Sequence, residues 1–288
     1  MPPETEPLLE LKDVNLKFGS TWALRNISLS LHPGETRIIF GSAGSGKTML
    51  LKAVIGLVRI DSGDIKLFGQ DVTSLEEHDL YALRSRAGFL FQEGGLFDSL
   101  SIGQNVEYPL VNRQASDRKK DAALSDEQIE KRVRDTLRFV ELEQTFDKFP
   151  SEVSGGMRRR VGIARAVVTE PPLVLYDSPT AGLDPITANI IMALVSKERA
   201  VRNSASLIVT HRYQDGELMA NFRYDPEREE LTPSNGEAAP DHATEDQATE
   251  PGTKFIVMKE GEIVFFGTRH ELESSNDQYV KRFIRHEH

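Results

Sequence analysis

The sequence predicts an α/β fold in which a mostly parallel sheet forms the core, antiparallel hairpins lie at its edges and a block of helices is inserted. Three features support this prediction. Apolar and polar residues alternate over the first forty positions. Short apolar runs without alternation appear at 36–40, 173–177 and 206–210, and the region from about residue 93 to 160 has helical spacing. Alternation is typical of half-buried strands, and a continuous run is typical of a strand covered on both faces.

The individual elements follow from local patterns. "LLELKDVNLKF" and "ALRNISLSLH" predict two strands, and "TRIIF" predicts a buried third strand. After a glycine-rich loop, "KTMLLKAVIGLV" predicts an apolar helix, and "DSGDIKLFGQDV" predicts a hairpin. From about residue 93 to 160 no strong strand appears, and apolar residues at 129, 133, 137, 140 and 142 predict a helix. "KFIVMKEGEIVFFG" predicts a second hairpin that turns at Glu260–Gly261.

The composition is that of a globular protein, with 39% hydrophobic and 28% charged residues among 288. Such a chain can bury a sizeable core in one domain. No apolar stretch approaches the roughly 20 residues that cross a bilayer, and the amino terminus has neither a basic start nor an apolar core segment. We therefore expect a cytoplasmic protein. The absence of cysteine from the sequence excludes disulfides, thiol catalysis and zinc–thiolate sites.

Most of the net charge of −10 is concentrated in one segment. Residues 225–250 contain nine acidic residues and one basic residue, so they contribute −8 and the rest of the chain about −2. The segment is rich in proline and poor in large apolar residues, so it cannot bury enough surface to offset the entropy lost on ordering. We predict that residues 225–251 form a solvated, disordered insertion. An acidic docking element is the alternative interpretation.

The strongest motif is "GSAGSGKT", which fits G-x-x-x-x-G-K-[ST] and lies between a β-branched strand and an apolar helix. Backbone N–H groups in such a loop surround the β-phosphate of a nucleotide at a helix amino terminus, where the helix dipole favours negative charge. Lys47 is expected to reach the β- and γ-phosphates, and the Thr48 hydroxyl to bind Mg²⁺. The nucleotide-binding residues predicted in this loop are Gly41, Ser42, Ala43, Gly44, Ser45, Gly46, Lys47 and Thr48.

Two further segments are expected to bind the nucleotide. Asp177 ends the predicted strand "LVLYD", where a carboxylate at the carboxyl edge of a parallel sheet faces the ligand crevice and can hold Mg²⁺ through water. Ser154, Gly155 and Gly156 open a predicted helix whose unpaired N–H groups provide a second phosphate-binding terminus. One chain does not need two such sites. We therefore infer that the second terminus binds the nucleotide of a partner subunit across a dimer interface.

Taken together, these motifs resemble those of the nucleotide-binding subunits of ATP-binding cassette (ABC) transporters. Their order is the P-loop, Gln92 after an apolar strand, S-G-G, the strand ending in Asp177, "AGLD", and the strand "LIVT" before His211, and the resemblance covers nearly the whole chain. It implies a RecA-like P-loop NTPase core with an N-terminal antiparallel β-subdomain and an inserted α-helical subdomain. The implied single domain has its core at 1–92 and 161–288 and its helical subdomain, with the signature motif, at 93–160.

The resemblance also implies ligands, partners and roles for individual residues. Two copies would enclose two ATP molecules with Mg²⁺ and bind a transmembrane permease at the cytoplasmic face of the inner membrane. Phe18 would stack on adenine, Gln92 would contact Mg²⁺ and the attacking water, and His211 would contact the γ-phosphate. Ser154–Gly156 resemble the signature motif, and Asp184 resembles the D-loop acid across the interface. Without the resemblance, Phe18 would be interpreted as a core aromatic residue and His211 as a capping or buried histidine.

Within the family, the sequence is most similar to the ATPase subunits of Mce-type, or Mla-like, phospholipid transporters. "FQEGGLFDSLSIGQNVEYPL", Met157 in "SGGM" and "GLDPITA" carry this similarity. It implies a phospholipid substrate and an Mce- or Mla-type lipid-binding partner. A cassette for another substrate is the alternative, because substrate choice depends on the permease and its partner and not on the ATPase.

Two surfaces have more than one interpretation. The apolar pair Leu96–Phe97 would be the docking site of a permease helix by family resemblance, or it would pack within the helical subdomain. Arg158–Arg160, which follow the signature motif, belong either to a phosphate-rich interface or to a solvated helix face.

Ser178 occupies the position where the family usually has a glutamate that activates the attacking water. Serine cannot act as that base, and removal of one general base typically lowers a rate by about 10² to 10⁴. Phosphoryl transfer also depends on positioning and charge neutralisation, so we expect a slow ATPase in which Ser178 positions the water and His211 or Asp184 eases proton transfer. The alternatives are a non-hydrolysing ATP-dependent clamp and a degenerate half of a mixed pair.

A nucleic-acid machine of the same family is not expected. The chain carries one P-loop and one signature motif, about 110 residues apart, and it has no basic stripe.

Overall fold

The structure is a computed structural model and describes residues 6–92, 94–116, 124–234 and 252–284. Within these residues six strands form the central sheet: β3 (Thr36–Gly41), β6 (Ala87–Leu90), β7 (Leu173–Asp177), β8 (Ala205–Val209), β11 (Thr253–Lys259) and β12 (Glu262–Gly267). Their order is β12-β11-β3-β8-β7-β6. The pairs from β11 to β6 are parallel and only β12 is antiparallel to its neighbour, which confirms the predicted parallel core with a hairpin at its edge.

A second sheet is formed by the amino-terminal part of the chain. Its strands are β1 (Leu9–Phe18), β2 (Thr21–Leu31), β4 (Ser62–Leu67) and β5 (Gln70–Asp71). They pair antiparallel in the order β2-β1-β4-β5. Leu9, Leu11 and Val14 point inward with Leu24 and Ile27, so the predicted alternation produces one buried face. The predicted antiparallel β-subdomain is therefore confirmed.

The P-loop connects β3 to the first helix, α1 (Lys47–Val54). Every residue of β3 is buried, because helices and the second sheet cover both faces of the central sheet at this strand. The apolar pattern predicts a helix as far as Val58, but α1 ends at Val54. Gly56 adopts a left-handed conformation with φ of 65°, which ends the helix two residues after its last turn.

The predicted helical block lies on one face of the central sheet. Its helices among the described residues are α3 (Ile102–Ser116), α4 (Asp126–Phe139) and α5 (Gly155–Val167), with short 3₁₀ turns at Glu143–Thr145 and Pro150–Glu152. α2 (Glu77–Arg84) precedes this block, and its Leu80 and Leu83 belong to the other hydrophobic core, which includes the second sheet. α4 starts with a capping box between Ser125 and Gln128 and buries Ile129, Val133 and Leu137, as its spacing predicts. α5 crosses residue 160, so one continuous helix joins the block to the core.

The carboxyl-terminal half completes the core. It contributes α6 (Pro185–Arg202), α7 (Tyr213–Asn221), α8 (Arg269–Glu273) and α9 (Gln278–Ile284). The hairpin β11–β12 turns at Glu260 and Gly261, whose φ angles of 50° and 84° match the two positive values of a type I′ turn. No helix among the described residues has both the length and the apolar character needed to cross a membrane.

The structure differs from the sequence prediction at the start of the acidic segment. Residues 225–234 do not form a disordered insertion, because β9 (Phe222–Asp225) and β10 (Glu230–Pro233) pair as an antiparallel hairpin. The hairpin packs on α6, where the Lys197 ammonium lies 5.4 Å from the ring centroid of Tyr224. Asp225 accepts hydrogen bonds from the turn amides of Glu227 and Arg228. Composition alone misses this local turn chemistry. Residues 235–251 lie outside the described residues.

Candidate functional site

The P-loop is a tight turn that only glycine permits at its last loop position. Gly46 has φ of 102°, and a Cβ atom there would lie 2.2 Å from the carbonyl oxygen of Ala23 in β2. Gly44 also has a positive φ, of 77°. The loop is therefore pressed against the second sheet, and its backbone amides open toward the amino terminus of α1.

Lys47 closes over the start of this loop. Its ammonium donates hydrogen bonds to the carbonyl oxygens of Gly41 (2.7 Å) and Ser42 (2.9 Å). Burial lowers the pKa of Lys47 below its ordinary value, and the charge of Asp177 opposes this shift. The Lys47 ammonium thus lies inside the loop, near the Asp177 carboxylate at the end of β7. An anionic ligand bound in the loop would contact it there.

Asp177 is the last residue of β7 and is only 4% exposed. Its Oδ1 atom accepts hydrogen bonds from Thr48 Oγ1 at 3.4 Å and Ser178 Oγ at 3.2 Å. The structure thereby brings together Thr48, Asp177 and Ser178, which the sequence places in two distant segments. No group of three or more histidine, cysteine or acidic residues among the described residues forms a metal cluster. A Mg²⁺ ion at this edge would use the Thr48 and Asp177 oxygens with phosphate and water ligands, which is the usual pattern for this ion.

Gln92 and His211 follow the two strands that flank β7. Leu90, the last residue of β6, pairs with Tyr176, and Asp177 pairs with Val209, the last residue of β8. Gln92 and His211 both lie two residues beyond these strand ends, and both are exposed. The carboxyl ends of parallel strands meet at one edge, so both side chains are on the same edge as Asp177. His211 is exposed, so the interpretation of a buried histidine is wrong.

Asp215 links the loops that carry Ser178 and His211, and it lies outside every motif in the sequence. Its buried Oδ2 atom accepts hydrogen bonds from the hydroxyls of Thr180 and Thr210. Burial raises the pKa of Asp215, and the two hydroxyls oppose the shift. No local pattern indicates this contact, because the two threonines are thirty residues apart in the sequence and meet only after the sheet has formed.

The two helix starts expected at a dimer interface lie next to each other. Ser154 caps α5 by accepting a hydrogen bond from Met157 N, and Asp184 caps α6 by accepting from Ile186 N and Thr187 N. A Cβ atom on Gly156 would lie 2.6 Å from Thr187 Cγ2, so glycine permits the close approach of the two termini. Hydrogen bonds lower the pKa of Asp184; the bond from the Thr187 side chain has the largest effect, and the backbone amides add to it.

Ser154, Gly155 and Asp184 are exposed, and Phe18 has 56% of its surface exposed at the end of β1. The interpretation of Phe18 as a core aromatic residue is therefore wrong. Phe18 pairs with Thr21 at the turn into β2, the strand whose Ala23 touches the P-loop. Phe18 thus lies at the end of β1, Lys47 at the start of α1, and Ser154 and Asp184 at the starts of α5 and α6.

The arginines after the signature motif bind carbonyl oxygens of their own chain. Arg159 is buried and donates to Phe91 O (3.3 Å) and Ala181 O (3.2 Å). Arg158 donates to Val153 O, and Arg160 donates to Val140 O. Both earlier interpretations are wrong for Arg159, which joins the loop after β6 to the loop before α6.

An apolar groove of about 410 Å³ lies beside Gln92, between the central sheet and α3. Phe91, Phe97 and Tyr108 line it, and the rings of Phe97 and Tyr108 are 4.7 Å apart. Phe97 is 41% exposed, whereas Leu96 packs against the main core. The two alternatives for this pair therefore separate: Leu96 belongs to the core and Phe97 to the groove. Arg165 lies at the groove floor and donates to Gly94 O and Gly95 O.

The comparison with known proteins identifies the family. The model of a family described as ABC transporter matches residues 24–181, more than half of the chain. The chain belongs to the ABC transporter family. The match contains the P-loop, the signature segment and Asp177, and the predicted resemblance to ABC ATP-binding domains is confirmed.

This ABC cassette is similar to several named proteins. It is 36% identical over 203 residues to the probable ribonucleotide transport ATP-binding protein mkl of Mycobacterium leprae, a match covering 70% of this chain and 56% of that protein. It is 38% identical over 211 residues to the methionine import ATP-binding protein MetN of Brucella abortus, covering 73% and 55%. The matches span little more than half the length of these relatives.

Solved structures show the same fold. The dimeric structure of the cassette MJ0796 in a post-hydrolysis state, bound to ADP and Pi, has a TM-score of 0.70 and 28% identity, covering 90% of this chain and 98% of that one. CbiO1 from Clostridium perfringens, part of the ABC transporter complex cbiONQ, has a TM-score of 0.72 and 25% identity, covering 97% and 95%. The predicted P-loop NTPase fold with its β-subdomain and helical block is confirmed.

Proposed function

We propose that this cassette is the ATP-binding subunit of an ABC transporter and that it hydrolyses ATP slowly. The observation that supports this most strongly is the meeting of Lys47, Thr48, Asp177 and Ser178 at one edge of a parallel sheet. The similar cassette MJ0796, with ADP and Pi bound, supports a nucleotide ligand for this arrangement.

Each side chain at this edge has a proposed role. Lys47 exchanges the carbonyl oxygens of Gly41 and Ser42 for the β- and γ-phosphates. Thr48 and Asp177 hold Mg²⁺, with Gln92 as a further oxygen ligand, and Mg²⁺ when bound supplies charge neutralisation at the phosphates. The 3.4 Å distance between Thr48 Oγ1 and Asp177 Oδ1 fits two groups that serve one small cation.

Ser178 is proposed to orient the attacking water. Its hydroxyl proton is donated to Asp177, which leaves the Oγ lone pairs to accept from a water molecule. An acceptor of this kind fixes the position of the water but does not remove its proton, so hydrolysis is slow. His211, which follows Thr210 and its hydrogen bond to Asp215, contacts the γ-phosphate, and either His211 or Asp184 eases proton transfer.

The complete site is proposed to form between two copies of the chain. Ser154, Gly155 and Gly156 carry bare helix amides at the surface, next to Asp184, and a second subunit presents its P-loop to them. Phe18 stacks on adenine from its exposed position at the end of β1. The dimeric solved structure of MJ0796 supports a homodimer.

The groove beside Gln92 is proposed to receive a helix of a transmembrane permease, which keeps the subunit at the cytoplasmic face of the inner membrane. Its exposed aromatic side chains, Phe91, Phe97 and Tyr108, suit an apolar helix.

Phospholipid is the proposed substrate, with an Mce- or Mla-type lipid-binding protein as a further partner. This rests on the sequence similarity around the Q-loop and Met157. The names of mkl and MetN refer to ribonucleotide and methionine transport, so identification of the material bound to the co-purified permease decides between these classes.

Phosphate release by the purified chain with Mg²⁺ and ATP, alone and with its membrane partner, tests the proposal against Lys47→Ala. We expect slow turnover in the wild type and only background release in the variant, because Lys47 supplies the cation at the phosphates. Equal release by both proteins in the presence of the partner would exclude hydrolysis.

Ser178 favours one second candidate function, a non-hydrolysing clamp, which would retain labelled ATP uncleaved in a stable dimer.

A further inference from the structure

The Tyr279 hydroxyl of helix α9 contacts the P-loop. Tyr279 Oη donates to the carbonyl oxygen of Met258 at 3.1 Å and accepts a hydrogen bond from Ser42 N at 3.3 Å. The Ser42 hydroxyl lies 3.0 Å from the same oxygen, and because Met258 O accepts the single phenol proton, the Ser42 hydroxyl is the donor of this pair. One donor and two acceptor positions are thus used, which is the full capacity of a phenol.

The helix that presents Tyr279 is itself fixed to the strand that leads into the P-loop. Asp277 accepts hydrogen bonds from the first amides of α9, those of Tyr279 (2.6 Å) and Val280 (3.2 Å). Val280 is buried, and the Phe283 ring is 6.4 Å from Phe40 of β3 with an interplanar angle of 12°. Tyr279 therefore holds the loop from an element that has its own place in the core.

Ser42 links this contact to the phosphate-binding residues. The backbone of Ser42 is held from one side by Tyr279, which contacts its amide and its hydroxyl, and from the other by Lys47, which donates to its carbonyl oxygen. Met258 O, which accepts from Tyr279, would be 2.6 Å from a Cβ atom on Gly41. The first two residues of the P-loop thus lie between the end of β11 and the Lys47 ammonium.

We propose that Tyr279 is a positioning residue of the nucleotide site, which fixes the Ser42 peptide and so arranges the P-loop before the nucleotide binds. This inference rests on the proposed binding of ATP. A loop fixed in advance loses less conformational freedom on binding, so removal of the hydroxyl weakens nucleotide affinity. Phosphate contacts of the loop form in ATP and ADP alike, so both ligands are affected.

The test is the dissociation constant of Tyr279→Phe for ATP with Mg²⁺ and for ADP, measured by calorimetric titration. Phenylalanine keeps the ring next to Phe283 and removes only the hydroxyl. We expect both constants to rise about twofold to tenfold, the range of one hydrogen bond, and KM for ATP to rise with kcat nearly unchanged. The matched control is Tyr213→Phe, which removes the hydroxyl that donates to Glu273 of α8 and should leave both constants unchanged.

A double-mutant cycle with Ser42→Ala shows whether Tyr279 acts through the loop. We expect the effect of Tyr279→Phe to be smaller in the Ser42→Ala background. Wild-type affinity in Tyr279→Phe, tighter binding, additive effects, or an equal loss in Tyr213→Phe would each overturn the inference. These outcomes leave ATP binding by the wild type intact. A wild type that binds no ATP would overturn the proposed function, and this inference with it.

Discussion

The position of Ser178 is fixed by its backbone as well as by its hydroxyl. It has φ of 52°, and its amide donates to Val209 O at 2.8 Å. The left-handed conformation is uncommon for a residue with a Cβ atom, and a well-paired neighbouring strand maintains it here. The hydrogen bond to β8 therefore fixes the backbone at residue 178. A longer side chain at this position would extend from the same Cα atom.

Replacement of Ser178 by glutamate should accelerate hydrolysis. We expect Ser178→Glu to raise kcat by about 10² or more, because a carboxylate can accept the proton of the attacking water. Ser178→Ala, the matched control, should lower kcat, because it removes the Oγ atom that is proposed to orient the water. Steady-state phosphate release measures both. Equal rates for all three proteins would show that residue 178 does not contact the water.

Glu198 gives a pH dependence of stability. It is fully buried in α6, and burial raises its pKa, opposed by the hydrogen bond from Ser204 and the charge of Arg202. Burial in the fold therefore favours the protonated form of Glu198. The contribution of this group is therefore complete below its ordinary pKa of 4.5 and is lost as the pH rises through the raised folded value.

We expect Glu198→Gln to flatten this part of the stability profile. The free energy of unfolding of the wild type, relative to the variant, should fall as the pH rises from about 4.5, because only the wild type ionises. Urea unfolding at a series of pH values measures it. Glu130→Gln, at the exposed pair with Arg134, serves as the control and should run parallel to the wild type. A parallel Glu198→Gln profile would contradict the prediction.

At the scale of elements, Asp215 holds two loops of the site together. Asp215→Ala leaves the buried hydroxyls of Thr180 and Thr210 without their acceptor, at about 1–3 kcal/mol each. We expect a loss of about 2–6 kcal/mol in the free energy of unfolding and a lower kcat, measured by urea titration and phosphate release. Asp135→Ala, at an exposed pair with Arg138, should cost less than about 1 kcal/mol. Similar losses in both variants would exclude a special role for Asp215.

The groove between α3 and the central sheet leads to a second prediction about elements. Phe97→Asp should abolish co-purification with a multispanning membrane protein, because a carboxylate would have to be desolvated in an apolar contact. ATP binding by the isolated chain should be unchanged. The control is Phe222→Asp, which places the same charge at an exposed phenylalanine of β9 outside the groove. Retention of the membrane protein by Phe97→Asp would show that it docks elsewhere.

Local sequence patterns predict most of the elements and the core of the site. The strand β3, the P-loop and α1 are contiguous, so their arrangement follows from one stretch of sequence, and Asp177 follows from the rule that strand ends meet at one edge. The contacts of Asp215, Arg159 and Tyr279 could not be predicted, because each joins segments that meet only in the folded chain. The β9–β10 hairpin is not predicted by the acidic composition of its segment. It depends on a local turn in which Asp225 accepts hydrogen bonds from the amides of Glu227 and Arg228.

For the whole molecule, the exposed helix starts at Ser154 and Asp184, which are proposed to bind the nucleotide of a second copy, predict a nucleotide-dependent dimer. We expect the purified chain to double its mass with ATP and Mg²⁺ under conditions of slow turnover, and Lys47→Ala to remain a monomer. Light scattering after size-exclusion chromatography measures this. A wild type that stays monomeric at saturating ATP, in the presence of its membrane partner as well, would contradict a homodimeric site.

α5 gives the molecule a mechanical property. Its thirteen residues form a rod of about 20 Å, with Ser154 at one end. The loop after β6 is attached to it at successive turns, because Arg159 binds Phe91 O, Arg165 binds Gly94 O, and a Cβ atom on Gly162 would lie 3.1 Å from Gly94. A displacement of the loop at the groove is therefore expected to move α5 as a unit, together with the helix start at Ser154 that is proposed to face a second subunit.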